Sequence, residues 1–110
     1  MNINNPLLIL TTVSSKEEGE RIASKLVNNK LAACVNILPQ MTSIYRWENK
    51  IHNEKEFLLT IKTAKYHEQE VYDYIKDNHS YDVPEIITLE IKKIDKKYSE
   101  WLNSSIRPME

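Results

Sequence analysis

The chain has 110 residues, of which 41% are hydrophobic and 28% charged, and 15 basic residues nearly balance 16 acidic ones. This length predicts a single domain over residues 1–110 with one modest core. The balanced charge predicts neither nucleic-acid binding nor attraction to an anionic membrane. The single cysteine excludes an internal disulfide, and the single glycine excludes glycine-rich phosphate-binding loops. No apolar run approaches the roughly 20 residues of a membrane span, and residues 1–5 lack the basic segment of a signal peptide, so we expect a cytoplasmic protein.

The first two predicted elements are a strand and a helix. Residues 6–13 form a short apolar run that is typical of a strand buried on both faces. Ser14 and Ser15 are each followed three residues later by a glutamate, which predicts a capping box and the start of a helix. We expect this helix to end at residues 28–30, where asparagine replaces glycine in the left-handed conformation.

Two long strands joined by a tight hairpin are predicted next. The apolar run at 31–38 is interrupted by Pro39, which has no N–H for strand pairing and therefore predicts a bend. The strand pattern resumes over 43–47, turns at 48–50, and returns as an extended run over 57–63.

The remaining elements are a helix, a strand and a short final helix. We predict a helix over 66–78, a polar and aromatic loop over 78–84, and a strand over 85–91. Asp95 is placed to cap the last helix. The apolar stripe of that helix consists of Tyr98, Trp101, Leu102 and Ile106.

The order β-α-β-β-α-β predicts an α+β, ferredoxin-like sandwich with both helices on one face of the sheet, followed by a C-terminal helix. Several strands, among them 7–10 and 32–38, carry apolar residues on both faces. A single copy would then expose a large apolar surface, so we expect a second copy or the C-terminal helix to cover it.

Residues able to bind a soft or borderline metal ion are scattered along the chain. Cys34, His52, His67 and His79 include no pair at the spacing of known metal motifs. Cys34 lies in an apolar strand, where a free thiol packs as a small hydrophobe. His79 either binds carbonyls at the end of the second helix or lines a cleft, and a metal site shared between subunits would not show in the spacing.

We expect no enzymatic activity. The chain lacks a nucleophile elbow, a cofactor fingerprint and a clear acid–base pair. Only the loop that contains Asp82 and Glu85 brings acidic, basic and aromatic residues together, which is a weak signal for a pocket.

Three blocks of sequence, at 31–37, 42–48 and 79–86, resemble the CutA family of divalent-cation-tolerance proteins in order and spacing. The resemblance covers nearly the whole chain. It implies the ferredoxin-like fold and a tight homotrimer in which long bent hairpin strands pair between subunits, an architecture that PII signalling proteins share.

The resemblance also implies binding of Cu²⁺ or another divalent cation and a role in the response to metal ions. The family's copper ligands fall on Thr11, Asn78 and His79, of which only His79 is a good copper ligand. Cys34 is a further candidate. Ser80 stands where the family usually has proline.

The alternative function is a PII-like regulatory or scaffold trimer that binds a small anionic ligand or a partner protein in the crevice between subunits. The large amphipathic residues near the hairpin and the second loop would form that crevice. The candidates are Tyr45, Arg46, Trp47, Lys62, Tyr81 and Glu85.

Overall fold

The computed structural model describes residues 5–109; residues 1–4, which entered the signal-peptide argument, and Glu110 lie outside the described part. The elements in chain order are β1 (Pro6–Val13), α1 (Lys16–Asn28), β2 (Cys34–Ile37), β3 (Met41–Trp47), β4 (Lys50–Ala64), a single 3-10 turn (Lys65–His67), α2 (Glu68–Asn78), β5 (Ile86–Glu90) and α3 (Lys96–Ser104). The 3-10 turn moves the start of the second helix to Glu68, two residues later than predicted. Within residues 5–109, no helix is both long and apolar enough to cross a membrane.

The strands form one antiparallel sheet in the order β2-β4-β1-β5, with β3 paired to a separate section of β4. Ile22 and Leu26 of α1 and Val71 and Ile75 of α2 join one buried cluster with the sheet, centred on Ile61. Both helices therefore pack on the same face. The ferredoxin-like α+β fold is confirmed.

Helix α1 shows how local sequence sets its two ends. The Ser15 hydroxyl accepts the Glu18 N–H at 3.1 Å, as the predicted cap requires. At the other end the prediction was wrong, because the left-handed residue is Lys30 (φ 57°) and not Asn28 or Asn29. Asn29 stays right-handed, and its side-chain amide donates to the Lys25 carbonyl at 2.8 Å, so the reversal falls to the next residue.

The single glycine of the chain is explained by packing near the N-terminal end of α1. A Cβ added to Gly19 would lie 3.2 Å from side-chain atoms of both Leu59 and Val13. Gly19 therefore lets the helix approach the sheet closely, although glycine weakens a helix interior.

Strand β4 serves two parts of the molecule. Residues 57–64 pair with β1, and residues 50–56 pair only with β3. We call residues 41–56 the arm; it ends in a two-residue turn in which Glu48 and Asn49 both have positive φ, as expected of a type I′ hairpin. The hairpin and the interruption near Pro39 are confirmed.

The second face of the sheet is only partly covered. Leu102 of α3 and Ile106, just after this helix, pack with Ala33 and Ala64, whereas Ile87 and Leu89 remain about half exposed. The predicted stripe of α3 is therefore half wrong, because Tyr98 and Trp101 are 38% and 44% exposed and contact each other with ring centroids 5.3 Å apart.

Candidate functional site

The loop after α2 is fixed by the ring of His79, whose side chain is fully buried. Its Nε2 lies 2.7 Å from the Thr12 carbonyl oxygen, and its Nδ1 accepts the Tyr81 N–H at 3.0 Å. Because Nδ1 accepts, the hydrogen of the neutral ring lies on Nε2 and is donated to Thr12. The ring therefore bonds backbone groups of β1 and of its own loop, and not the carbonyls at the end of α2 that the sequence suggested.

The same loop is held by a buried carboxylate, Glu18, which the sequence predicted only as part of the capping box of α1. Its Oε2 accepts the Ser80 N–H at 2.8 Å and its Oε1 accepts the Ser80 hydroxyl at 3.0 Å. Burial alone would raise the pKa of the Glu18 carboxyl. The hydrogen bonds from Ser80 and the nearby His79 and Arg21 together lower it by more, so the pKa lies below its ordinary value. The sequence signal for this contact was Ser80 itself, because the proline that the family usually has at this position carries no N–H to donate to Glu18.

The expected copper ligands do not fit a metal ion in this arrangement. His79 has no free lone pair, since Nδ1 accepts a backbone N–H and Nε2 carries the hydrogen. The Asn78 amide donates to the Tyr74 carbonyl, and the hydroxyl of Thr11, the remaining expected ligand, is buried without a hydrogen-bond partner. Across residues 5–109, no three His, Cys, Asp or Glu side chains are grouped as a metal site.

Cys34 lies away from these residues, on the face of the sheet opposite the helices. The structure shows it partly exposed, which corrects the expectation of a packed thiol. The Lys62 ammonium lies 4.0 Å from its Sγ and donates to the Asn36 side-chain oxygen at 2.8 Å. A neighbouring cation disfavours metal binding at this thiol.

A cleft of about 720 Å³ lies between the arm and the loop over residues 81–85. Three aromatic rings line it: Tyr45, Trp47 and Tyr81. Three carboxylates line it as well: Glu56, Asp82 and Glu85. Apolar and hydroxyl-bearing side chains complete the walls.

Tyr81 and Glu56 join the two walls of this cleft. The Tyr81 hydroxyl donates to Glu56 Oε2 at 2.8 Å. Burial, and then the hydrogen bond and the charge of Glu56, raise the pKa of Tyr81 well above its ordinary value. Tyr81 is therefore a stable hydrogen-bond donor, and the loop is held against the arm.

The structure brings four of the six predicted crevice residues together: Tyr45, Trp47, Tyr81 and Glu85 line the cleft. Arg46 and Lys62 do not line it. Arg46 lies on β3 between two lining residues, Tyr45 and Trp47, without lining the cleft itself, and Lys62 lies beside Asn36 on the open sheet face. Asp82 lines the cleft as well, in the loop that the sequence marked as a weak signal for a pocket. Glu56 was missed, since no sequence pattern distinguishes a cleft carboxylate from a solvated one.

Comparison with known proteins identifies the family. The family model described as "CutA1 divalent ion tolerance protein" matches residues 7–105. The chain belongs to the CutA1 family. Among curated relatives, CutA 1 of Oryza sativa, named as chloroplastic, is 46% identical over 92% of this chain and 57% of the relative. The divalent-cation tolerance protein CutA of Yersinia pestis is 37% identical over 96% of this chain and 89% of the relative.

A solved structure supports the same assignment. The crystal structure of CutA1 from Oryza sativa superimposes with a TM-score of 0.92 at 44% identity, over 96% of each chain. The chain spans a little over half the length of the plant CutA relatives it matches.

Proposed function

We propose that this CutA1 family member acts as a homotrimer in tolerance of divalent cations, and that it acts by binding and not by catalysis. The family supports the role in cation tolerance. The arm carries the proposal of assembly, because the side chains of Ile44 and Ile51 are 69% and 62% exposed. Apolar side chains this exposed on a protruding hairpin are typical of an interface between protein chains.

Unpaired strand edges indicate how copies would join. In the part of the chain that the structure describes, β5 pairs only with β1, and residues 50–56 of β4 pair only with β3. An arm that adds to the sheet edge of the next copy would satisfy both edges and cover Ile87 and Leu89. Such a head-to-tail contact closes as a ring when the rotation between copies allows it.

Sedimentation equilibrium tests the assembly. We expect a mass near 39 kDa, three times the 13.0 kDa of one chain. A folded species at the mass of a single chain would overturn the proposed trimer.

Growth under metal stress tests the role in the cell. We expect this chain to restore the growth of a bacterial strain that lacks its own CutA protein in medium with raised Cu²⁺, Zn²⁺ or Co²⁺. Equal growth of the strain with the chain and with an empty vector would contradict the proposed role. The cytoplasmic location remains a prediction.

Copper binding is a separate matter, because the ligands that the family resemblance implies do not fit. We expect calorimetric titration with Cu²⁺ to show no saturable binding that depends on His79. Saturable binding that is lost in His79→Ala, but kept in the matched variant His52→Ala, would show that the loop rearranges to bind copper.

The second candidate function is a regulatory or scaffold trimer that binds a ligand or partner in a crevice. The 720 Å³ cleft favours it, since small-molecule sites are commonly of about 300–1,000 Å³.

A further inference from the structure

We propose that the cleft binds a small organic cation carrying an alkylammonium or guanidinium group. This inference deepens the second candidate function and does not depend on a role in cation tolerance. It replaces the anionic ligand that the sequence suggested, because Arg46 and Lys62, the two cations assigned to the crevice, do not line the cleft.

The first observation that supports this ligand is the charge of the cleft walls. Glu56 lines one wall, and Asp82 and Glu85 line the other, while no Lys, Arg or His among residues 5–109 lines the cleft. Carboxylates in a concave surface focus a negative potential and attract cations.

The second observation is that Glu56 is buried without an ion pair to any residue that the structure describes. It is only 6% exposed, and it accepts a hydrogen bond from the uncharged Tyr81 hydroxyl. Within residues 5–109, no Lys, Arg or His forms an ion pair with it. Carboxylates this buried are normally paired with a cation, since burial removes most of their hydration. A ligand cation in the cleft would supply the missing charge.

The aromatic walls indicate an organic cation. Tyr45, Trp47 and Tyr81 line the same cleft as the three acidic residues. Aromatic faces attract ammonium and guanidinium groups, and Trp does so most strongly. Ile44, Val83 and Pro84 provide apolar contacts for an alkyl chain.

A bare metal ion fits less well. Calcium takes six to eight oxygen ligands at about 2.3–2.6 Å, and magnesium demands an octahedron. The described residues contain no grouping of three such side chains, and the carboxylates stand on two walls of a 720 Å³ space. A larger cation with a separated or delocalised charge can contact both walls.

Calorimetric titration of the assembled protein with agmatine tests the proposal, because agmatine carries an ammonium group and a guanidinium group on one alkyl chain. Succinate, a dicarboxylate of similar length, is the matched anion. We expect saturable binding of agmatine, none of succinate, and an affinity for agmatine that falls as NaCl is raised.

Two variants locate the site. We expect Glu56→Gln and the exposed Glu85→Gln each to weaken agmatine binding at least tenfold. Glu100→Gln, an equally conservative change on the exposed side of α3, should leave binding within twofold of the original. Because Glu85 is exposed, its variant remains informative even if Glu56→Gln fails to fold.

Three outcomes would overturn the proposal: no binding of agmatine, binding of succinate instead, or equal effects of Glu85→Gln and Glu100→Gln. Sedimentation of the same samples separates this test from that of assembly. A trimer that does not bind agmatine contradicts only the proposed ligand. A single chain that binds agmatine contradicts only the proposed trimer. If a neighbouring copy fills the cleft in the trimer, agmatine does not bind, and the proposed ligand is contradicted while the proposed trimer is not.

Discussion

The two halves of β4 belong to one strand but are stabilised in opposite ways. Residues 57–64 of β4 belong to what we call the body, which is the sheet around β1 with the helices packed on it. In the body, Leu59 and Ile61 are fully buried between the sheet and both helices. In the arm, Ile51 lies on a two-stranded hairpin and is mostly exposed. A two-stranded hairpin alone is marginally stable in water. The body therefore folds on its own contacts, whereas we expect the arm to be stabilised by another copy.

The largest effect should follow from removing core volume in the body. Ile61→Ala should lower the free energy of unfolding by about 2–5 kcal/mol, because it leaves a cavity at the centre of the buried cluster. Urea denaturation measures this loss.

Ile51→Ala is the matched control for this variant, being the same substitution in the same strand. Its cost should depend on protein concentration, as stability gained from assembly does. A loss for Ile51→Ala that is equally large and independent of concentration would remove the contrast between body and arm.

Charge placed on the arm should break the assembly and spare the fold. Ile51→Lys should shift the sedimenting species from three chains to one, because the lysine would be buried without a partner between copies. Circular dichroism should show an unchanged secondary structure.

Val27→Lys is the control, since Val27 is a partly exposed apolar residue on α1, away from the arm. A trimer that survives Ile51→Lys would show that the arm is not the contact.

The third effect concerns the loop that joins the body to the cleft. Ser80→Pro should cost about 1–3 kcal/mol, because the buried Glu18 carboxylate loses the N–H and hydroxyl of Ser80 together. The backbone before it is already suitable for proline, since His79 has φ −91° and ψ 144°. We attribute the expected loss to these hydrogen bonds.

A double-mutant cycle checks that interpretation by urea denaturation. Ser80→Pro should cost less in a Glu18→Val background, where no carboxylate remains to be satisfied. An equal cost in both backgrounds would exclude the Glu18 contact as the cause.

Sequence reasoning succeeded where the determinants are local. The Ser15 and Asp95 caps and the Glu48–Asn49 turn follow from patterns within a few residues. The fold of the sheet follows from the order in which such local elements occur. Sequence reasoning failed for Glu18, whose partner Ser80 is 62 positions away and is adjacent only in the folded chain. The cleft was half predicted, because its aromatic residues stand out in the sequence and its buried Glu56 does not.

The fourth effect is a dependence on pH in the body. The pKa of Glu18 in the folded chain lies below its ordinary value of 4.5, so the carboxylate stabilises the fold above that pH. This contribution should be lost as the pH falls through the lower, folded pKa. Urea denaturation between pH 6 and pH 3 should show a smaller loss of stability for Glu18→Gln than for the original chain. Parallel curves would contradict the depressed pKa.

The smallest effect tests whether body and arm open separately. Lys30 and Glu48 both have positive φ, at 57° and 50°, one at the end of α1 and the other at the tip of the arm. Glycine relieves this strain, so Lys30→Gly should stabilise the chain by less than about 1 kcal/mol. Asn29→Gly should destabilise it, because Asn29 is right-handed and would lose its bond to the Lys25 carbonyl.

Hydrogen exchange of the β1 amides distinguishes the two positions. Lys30→Gly should slow this exchange, since the helix that it ends packs on β1 through the shared core. Glu48→Gly should slow exchange within the arm and leave β1 unchanged if the arm opens without the body. Equal slowing of β1 by both variants would mean that the arm and the body unfold as one cooperative unit. The exposed apolar residues of the arm would then not indicate that the arm is stabilised separately from the body.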